Sequence, residues 1–270
     1  MIISAPASSG NLGPGFDCLG LALDITMNVE PGAATLPEAT GRHPALVGYR
    51  EAGGNGPLGW DSKIPPGKGM GFSGASYVAG VAAAFAEQGH EIDDVRDEIF
   101  AVANELEGHP DNAAPSTYGG LTISTDSGSR RVPIKADVQV VLWVPNFEVR
   151  TSASRAALPD TVSRSDAVFN LGRVAQFIAG LATGDLTALG ECLGDRLHEP
   201  YRLPAIPQTK DAIEAACEAG ALRAFLSGSG PCAAAVVRPG DADRVAAAMP
   251  TTDAHVKVLK VGEGVQVLAS

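Results

Sequence analysis

"PPGKGMGFSGAS", residues 65–76, sets a glycine-rich turn directly before a run of small, helix-forming residues. Gly67, Gly69 and Gly71 let the backbone approach a ligand closely. A helix starting near Ser73 aims its free N–H groups and positive dipole end at an anion. The stretch is not the G-x-x-x-x-G-K-[ST] phosphate loop, because Lys68 stands between glycines and no Gly-Lys-Ser/Thr follows. Taken alone, it reads better as a tight turn capped by Ser73 than as a nucleotide site.

Downstream, SGASYVAGVAAAFAEQG predicts a helix of small residues closed by Gly89. Apolar residues at 92, 95, 99, 102 and 106 predict a second helix over 92–107. GHPDNAAPSTYGG follows as a loop or helix start, then the strand LTIST and a hairpin or boundary at 125–131. VQVVLWVP (138–145) predicts a buried strand. Two helical segments are expected over about 165–197, with PYRLPAIP interrupting them, and a further helix over 208–219. ALRAFLSGSGPCAAAVV reads strand, glycine turn, strand, and the tail VKVLKVGEGVQVL gives one or two strands. Upstream, MIISAP is a short strand, ASSGNLGPGFD a glycine-rich loop and CLGLALDITMNVE an apolar segment. Residues 31–62 predict turns and short strands. The mixture is α+β rather than a strict βαβ alternation.

The 270 residues suffice for one large or two smaller cores, packed mainly by small aliphatics because aromatics make up only 5%. A net charge of −11 argues against nucleic acid or an anionic membrane as partner, though a local nest of N–H groups can still bind phosphate. The four cysteines (Cys18, Cys192, Cys217, Cys232) lack metal-site spacing and are expected as reduced thiols. The N-terminus has no signal-peptide pattern and no apolar run has membrane-spanning length, so a soluble, cytoplasmic protein is expected.

Two more loops carry chemistry. PASSGNLGPGFDCLG flanks a rigid Gly-Pro-Gly with Asn11 and Asp17, which can close local turns or converge on a small polar ligand. FLSGSGPCAAAVV places Gly228, Ser229 and Gly230 between apolar strands. Between these lies NELEGHPDNAAPSTYGG, where Glu105, Glu107, His109, Asp111 and Asn112 crowd a helix end. Carboxylates beside a phosphate cradle suit Mg²⁺, which takes hard oxygen ligands from one or two acids plus phosphates.

These segments, in this order, resemble the GHMP kinases and, within them, the homoserine kinases. PASSGNLGPGFDCLGLAL is similar to that family's opening strand and loop, PPGKGMGFSGAS to its phosphate loop, ELEGHPDNAAPSTYGGL to its central signature and LSGSGP to its third motif. RTSASRAALP and DRLHEPYRLPAIP look like further homoserine kinase segments. The resemblance implies a two-domain α+β fold. An ATP-binding domain over 1–130, like domain 2 of ribosomal protein S5, precedes a ferredoxin-like domain over 131–270. It implies ATP- and Mg²⁺-dependent phosphoryl transfer to L-homoserine, with a homodimer possible.

By resemblance, Asn11, Asp17, His109, Asn112, Thr151, Arg155 and Arg202 bind homoserine. Pro66, Gly67, Lys68, Gly69, Met70, Gly71, Phe72, Ser73, Gly74 and Ala75, with Gly228, Ser229 and Gly230, hold ATP. Ser73 and Glu105 hold the metal, Glu105 being preferred over Glu107 for its four-residue gap before the histidine. Catalysis falls to Asp111 as candidate base, Glu105 and Arg155. Lys68 reaches a phosphate or is simply solvated.

Two departures stand out. Phe72 replaces the first serine of the family's Ser-Ser pair, so that Phe72→Ser is expected to keep the fold and improve ATP use. The segment before residue 65 is short and turn-rich where the family has a helix and a strand. The alternatives are a GHMP kinase of another small alcohol, or a non-catalytic metabolite-binding relative.

Overall fold

The computed structural model describes residues 1–189 and 194–268. Its first sheet is antiparallel and is built on the strands β1 (Ile2–Gly10) and β2 (Leu19–Pro31). Ile3 faces Val29 and Ala5 faces Met27, and the register shifts between Pro6 and Ala7. The 13-residue β2 is long enough to pair on its other side with both β3 (Leu58–Ser62) and β4 (Leu121–Thr125). A hairpin adds β5 (Gly128–Val132), as the turn residues at 125–131 predict.

Between β2 and β3 lies a helix, α1 (Pro44–Glu51), where only turns and short strands were expected. Pro44 occupies its first turn, and the His43 ring Nδ1 accepts from the Ala45 N–H. The short, turn-rich segment therefore holds one helix and one strand, α1 and β3. The Ala-rich helix α2 (Phe72–Glu87) and α4 (Pro110–Tyr118) pack on the sheet, and α3 (Arg96–Glu107) packs against both helices. A 3-10 turn at Ile92–Val95 leads into α3.

The second sheet is also antiparallel. It contains β6 (Gln139–Pro145), β7 (Arg223–Leu226), β8 (Ala233–Val237) and β9 (Ala254–Leu259), in the order β7-β8-β6-β9. Period-2 alternation divides its two faces. Val141 and Trp143 pack with Ile213, Ala216 and Val245, whereas Val140, Leu142 and Val144 join the large core shared with the first sheet.

Five helices complete this half: α5 (Thr151–Ala156), α6 (Arg164–Thr183), α7 (Glu199–Arg202), α8 (Pro207–Glu218) and α9 (Ala242–Ala248). Of the two helices expected over 165–197, α6 is the first. The second is a 3-10 turn at Leu186–Leu189, and residues 190–193 lie outside the described region. The helices α5, α7 and α9 were not expected. The last strand, β10 (Gln266–Leu268), crosses back to pair with β1. The expected boundary at 130/131 thus falls within the β5 strand that ends the first-sheet hairpin, while residues 266–268 return to that sheet from the second half.

Cys18 and Cys232 are free, but Cys217 is disulfide-bonded, which corrects the expectation of reduced thiols at that position. Cys192 lies outside the described residues. Among the described residues no helix is long and apolar enough to cross a membrane.

Candidate active site

Loops from both halves are sewn together around one cleft of about 380 Å³. The stitching is mostly backbone. Ser8 N–H donates to Met70 C=O (3.1 Å), Gly228 N–H to Gly10 C=O (3.1 Å) and Cys232 N–H to Lys68 C=O (3.3 Å). Ser227 Oγ adds a bond to Gly69 C=O (2.7 Å). The first, second and third glycine loops of the sequence thereby become neighbours.

The cradle itself is specified sterically. Gly69 and Gly71 have φ of 74° and 64°, a region costly for residues bearing Cβ. A Cβ on Gly69 would lie 2.3 Å from Ser227 C=O, and one on Gly71 1.9 Å from Ser8 Oγ. The helix α2 begins immediately after, with Gly71 at its cap, no side chain bonding its first N–H groups and no acid in its first turn. The N–H groups of a helix's first turn lack intrahelical partners, so this end suits an anion.

Lys68 turns its ammonium to Phe147 C=O (2.8 Å). Phe72 is half-buried and lines the cleft. Its ring meets Trp60 edge-on at 6.4 Å and His43 at 6.1 Å. Phe72→Ser should therefore lower Tm by several degrees through lost packing, on the order of 1–3 kcal/mol, whatever it does for ATP. Scanning calorimetry tests this, and an unchanged Tm would return Phe72 to a surface role.

The structure separates the two glutamates. Glu105 is exposed and lies outside the cleft, while Glu107 lines it. The Glu107 side chain is only 11% exposed, and burial chiefly pushes its carboxyl up, with the nearby Ser73 hydroxyl opposing. Helical geometry explains the difference. Ala103 faces the core, Glu107 follows four residues on along the same face, and Glu105 sits about 200° around the helix from Ala103. Counting residues to the histidine missed this, although the apolar period in the sequence carried it.

Asp111 sits in the first turn of α4 and is 2% exposed. Burial, then the nearby Asp17 charge, push its carboxyl up to about 7, with Arg155 opposing. The Asn11 backbone also opposes the rise, and Asn112 Nδ2 lies 3.4 Å from its Oδ1. Ser8 Oγ holds Asn112 Oδ1 (3.2 Å), and His109 Nδ1 lies 3.0 Å from Glu107 C=O.

At the other end of the cleft, Arg155 binds Asp17 with both arms, Nη1 to Oδ2 at 3.0 Å and Nη2 to Oδ1 at 2.7 Å. Asn11 uses its amide to hold the loop, donating to Gly228 C=O (2.9 Å) and accepting from Asp17 N–H (2.9 Å). Asn11, Leu12 and Asp17 all have positive φ, and such strain at non-glycine residues is typical of built sites. Arg202 is 5% exposed and bonds Ser154 C=O (3.2 Å). Thr151 Oγ1 lies 3.2 Å from Ser229 Oγ.

Of the expected set, Asn11, Asp17, Gly67, Lys68, Gly69, Met70, Gly71, Phe72, Ser73, His109, Asp111, Asn112, Thr151, Arg155, Arg202, Gly228, Ser229 and Gly230 line the cleft. Pro66 and Glu105 are exposed, and Gly74 and Ala75 are buried under the cradle. Tyr77, Leu106, Glu107 and Val149 line it without having been chosen. Tyr77 was within reach of helical spacing, four residues after Ser73.

The GHMP kinases N terminal domain family matches residues 45–120, and the GHMP kinases C terminal family matches residues 177–255. A homoserine kinase of Thermus thermophilus is 41% identical, with 96% of this chain and 95% of the relative covered. One from Moorella thermoacetica is 38% identical over 88% and 87%. The crystal structure of homoserine kinase from Cytophaga hutchinsonii superposes with a TM-score of 0.85 at 28% identity, covering 99% of this chain and 97% of that one. Mevalonate kinase of Methanococcus jannaschii shares the fold alone, at 13% identity and a TM-score of 0.69 over 97% and 98% of the two chains. From loops to full-length relatives the assignment is the same: the chain belongs to the homoserine kinase family of the GHMP kinases.

Proposed function

We propose that the protein transfers the γ-phosphoryl group of ATP to the side-chain hydroxyl of L-homoserine, giving O-phospho-L-homoserine. The observation that carries this reading is the Asp17–Arg155 pair with Arg202 beside it, at the far end of a cleft that begins at the phosphate cradle. A carboxylate and two guanidiniums match the ammonium and carboxylate of an amino acid. Mevalonate or shikimate has no ammonium for Asp17.

Phosphoryl transfer asks the protein chiefly to position its reactants and neutralise charge. The backbone of Gly69 and Gly71 and the start of α2 hold the triphosphate. Asp17 takes the substrate ammonium, while Arg155 and Arg202 take its carboxylate as guanidinium forks. Thr151, His109 and Asn112 border the substrate between these ends. Asp111, poised near neutral pH, accepts the hydroxyl proton as the oxygen attacks.

Mg²⁺ fits the donors present. The described residues contain no cluster of three or more ligating acids, histidines or cysteines, but a buried Glu107 carboxyl faces the Ser73 hydroxyl beside the cradle. Magnesium needs little more from protein when phosphates supply the other oxygens. Glu107 and Ser73 would hold the ion, which neutralises phosphate charge when bound. The reaction belongs to the cytoplasm on this reading.

A coupled ADP-release assay with L-homoserine, L-threonine, mevalonate and shikimate, with and without Mg²⁺, tests the proposal. Mg²⁺-dependent turnover with homoserine well above the others is expected. Preference for another alcohol would make the protein a different GHMP kinase, and homoserine binding without any turnover would make it a binding protein.

A further inference from the structure

Beneath the two arginines lies a stack that the sequence did not single out. The Phe16 ring carries both guanidiniums, with Arg202 Cζ 5.2 Å and Arg155 Cζ 5.7 Å from its centroid. The other partner of Phe16 is His198, stacked at 5.2 Å with an interplanar angle of 25°.

His198 is fully buried and pinned at both nitrogens. Its Nε2 lies 2.8 Å from Gly13 C=O and its Nδ1 lies 3.3 Å from Arg202 Nη1. A carbonyl only accepts and a guanidinium only donates, so the ring carries its proton on Nε2 and offers a lone pair at Nδ1. Burial, which lowers the imidazole's proton affinity, agrees with this neutral form. The Asp195 carboxylate is 3.8 Å from Nε2 but already accepts from three backbone N–H groups (Leu197, His198, Glu199) and the Asn170 amide. It therefore fixes where the His198 backbone lies rather than protonating the ring.

Two guanidiniums brought to one carboxylate repel each other, and an aromatic face attracts both. Resting on the homoserine reading, we propose that Phe16 and His198 are positioning residues that hold Arg155 and Arg202 as a paired carboxylate receptor and so set the selectivity for amino-acid over amino-alcohol acceptors. Phe16 gives both cations one platform, and His198 fixes that platform to the Gly13 carbonyl and to Arg202 itself.

The test compares L-homoserine with 3-amino-1-propanol, the same acceptor without its carboxylate, by turnover and by calorimetric affinity. Phe16→Leu keeps apolar bulk and removes the ring. It should raise KM for homoserine about tenfold and cut the homoserine preference by the same factor, as two lost cation–π contacts imply. kcat and KM for ATP should stay within about threefold. Phe16→Tyr, which keeps the ring, should stay near wild type. His198→Asn keeps an acceptor near Nδ1 and should do less damage than His198→Gln, which keeps only a donor toward Gly13.

An unchanged preference in Phe16→Leu overturns the proposal, as does an equal rise in KM for ATP or an equal loss in Phe16→Tyr. Absence of wild-type turnover with homoserine defeats the kinase reading instead, and the calorimetric comparison then still decides the role of Phe16.

Discussion

Glu107→Gln is expected to lower kcat by about 10³-fold while leaving homoserine affinity unchanged, and Glu105→Gln should stay close to wild type. The amide at position 107 would keep the size and one acceptor of the native side chain but lose the charge. A hard divalent cation needs that charge more than the fold does. Among the described ion pairs, the one basic group near the Glu107 carboxylate is the His109 imidazole, 3.9 Å away. A buried carboxylate with so little compensation costs stability when ionised, so the variant should melt no lower than wild type. A loss of about 10³ corresponds to the several kcal/mol of charge stabilisation that a catalytic metal supplies. Steady-state kinetics over a Mg²⁺ titration, with calorimetry for homoserine, reads out both claims. If Glu105→Gln proves the damaging change, the metal site has been placed on the wrong face of α3.

Asp111→Asn is expected to cost about 10²–10⁴ in kcat, the usual range for a lost general base. In the wild type, kcat/KM for homoserine should rise with pH and level off above about 7, where the Asp111 carboxyl loses its proton. The variant's profile should lack that limb. Stability should move the opposite way. The carboxyl's proton affinity is higher in the folded protein than in the unfolded chain, where it titrates at about 3.9. Between about pH 4 and 7 the native state therefore holds the extra proton, and stability falls as pH rises through that window. Asp111→Asn removes the penalty and should raise Tm at about pH 8 while flattening its dependence on pH. Activity within about threefold of wild type would mean that the hydroxyl proton leaves without a protein base.

What could be read from the sequence follows from how local each feature is. The cradle at 65–76 is a short stretch of backbone whose glycines and following helix lie next to one another in the chain, so its shape was visible. Asp17, Asp111 and Arg155 stood out as polar residues inside glycine-rich or signature segments. The helix α1 was hidden because it has only eight residues, with Pro44 at one end and Gly53 and Gly54 just beyond the other, and such punctuation reads as turns. Phe16 and His198 were invisible for another reason. Their meaning lies in a stack between residues 182 positions apart, and an aromatic beside a Gly-Pro-Gly loop gives no hint of what will lie against it.

The return of β10 to the first sheet has a consequence for how the protein is made. Strand β1 delivers Ser8, Gly10 and the following loop to the cleft, yet one of its edges is covered by residues 266–268. On the ribosome, β1 emerges before the second sheet and those three residues after it. For most of synthesis the strand that anchors the site presents a bare row of N–H and C=O groups to any extended segment nearby. The row left waiting is short: β10 pairs with Ile2, Ile3 and Ser4, while Ser8 and Gly10 are held by Met70 and Gly228.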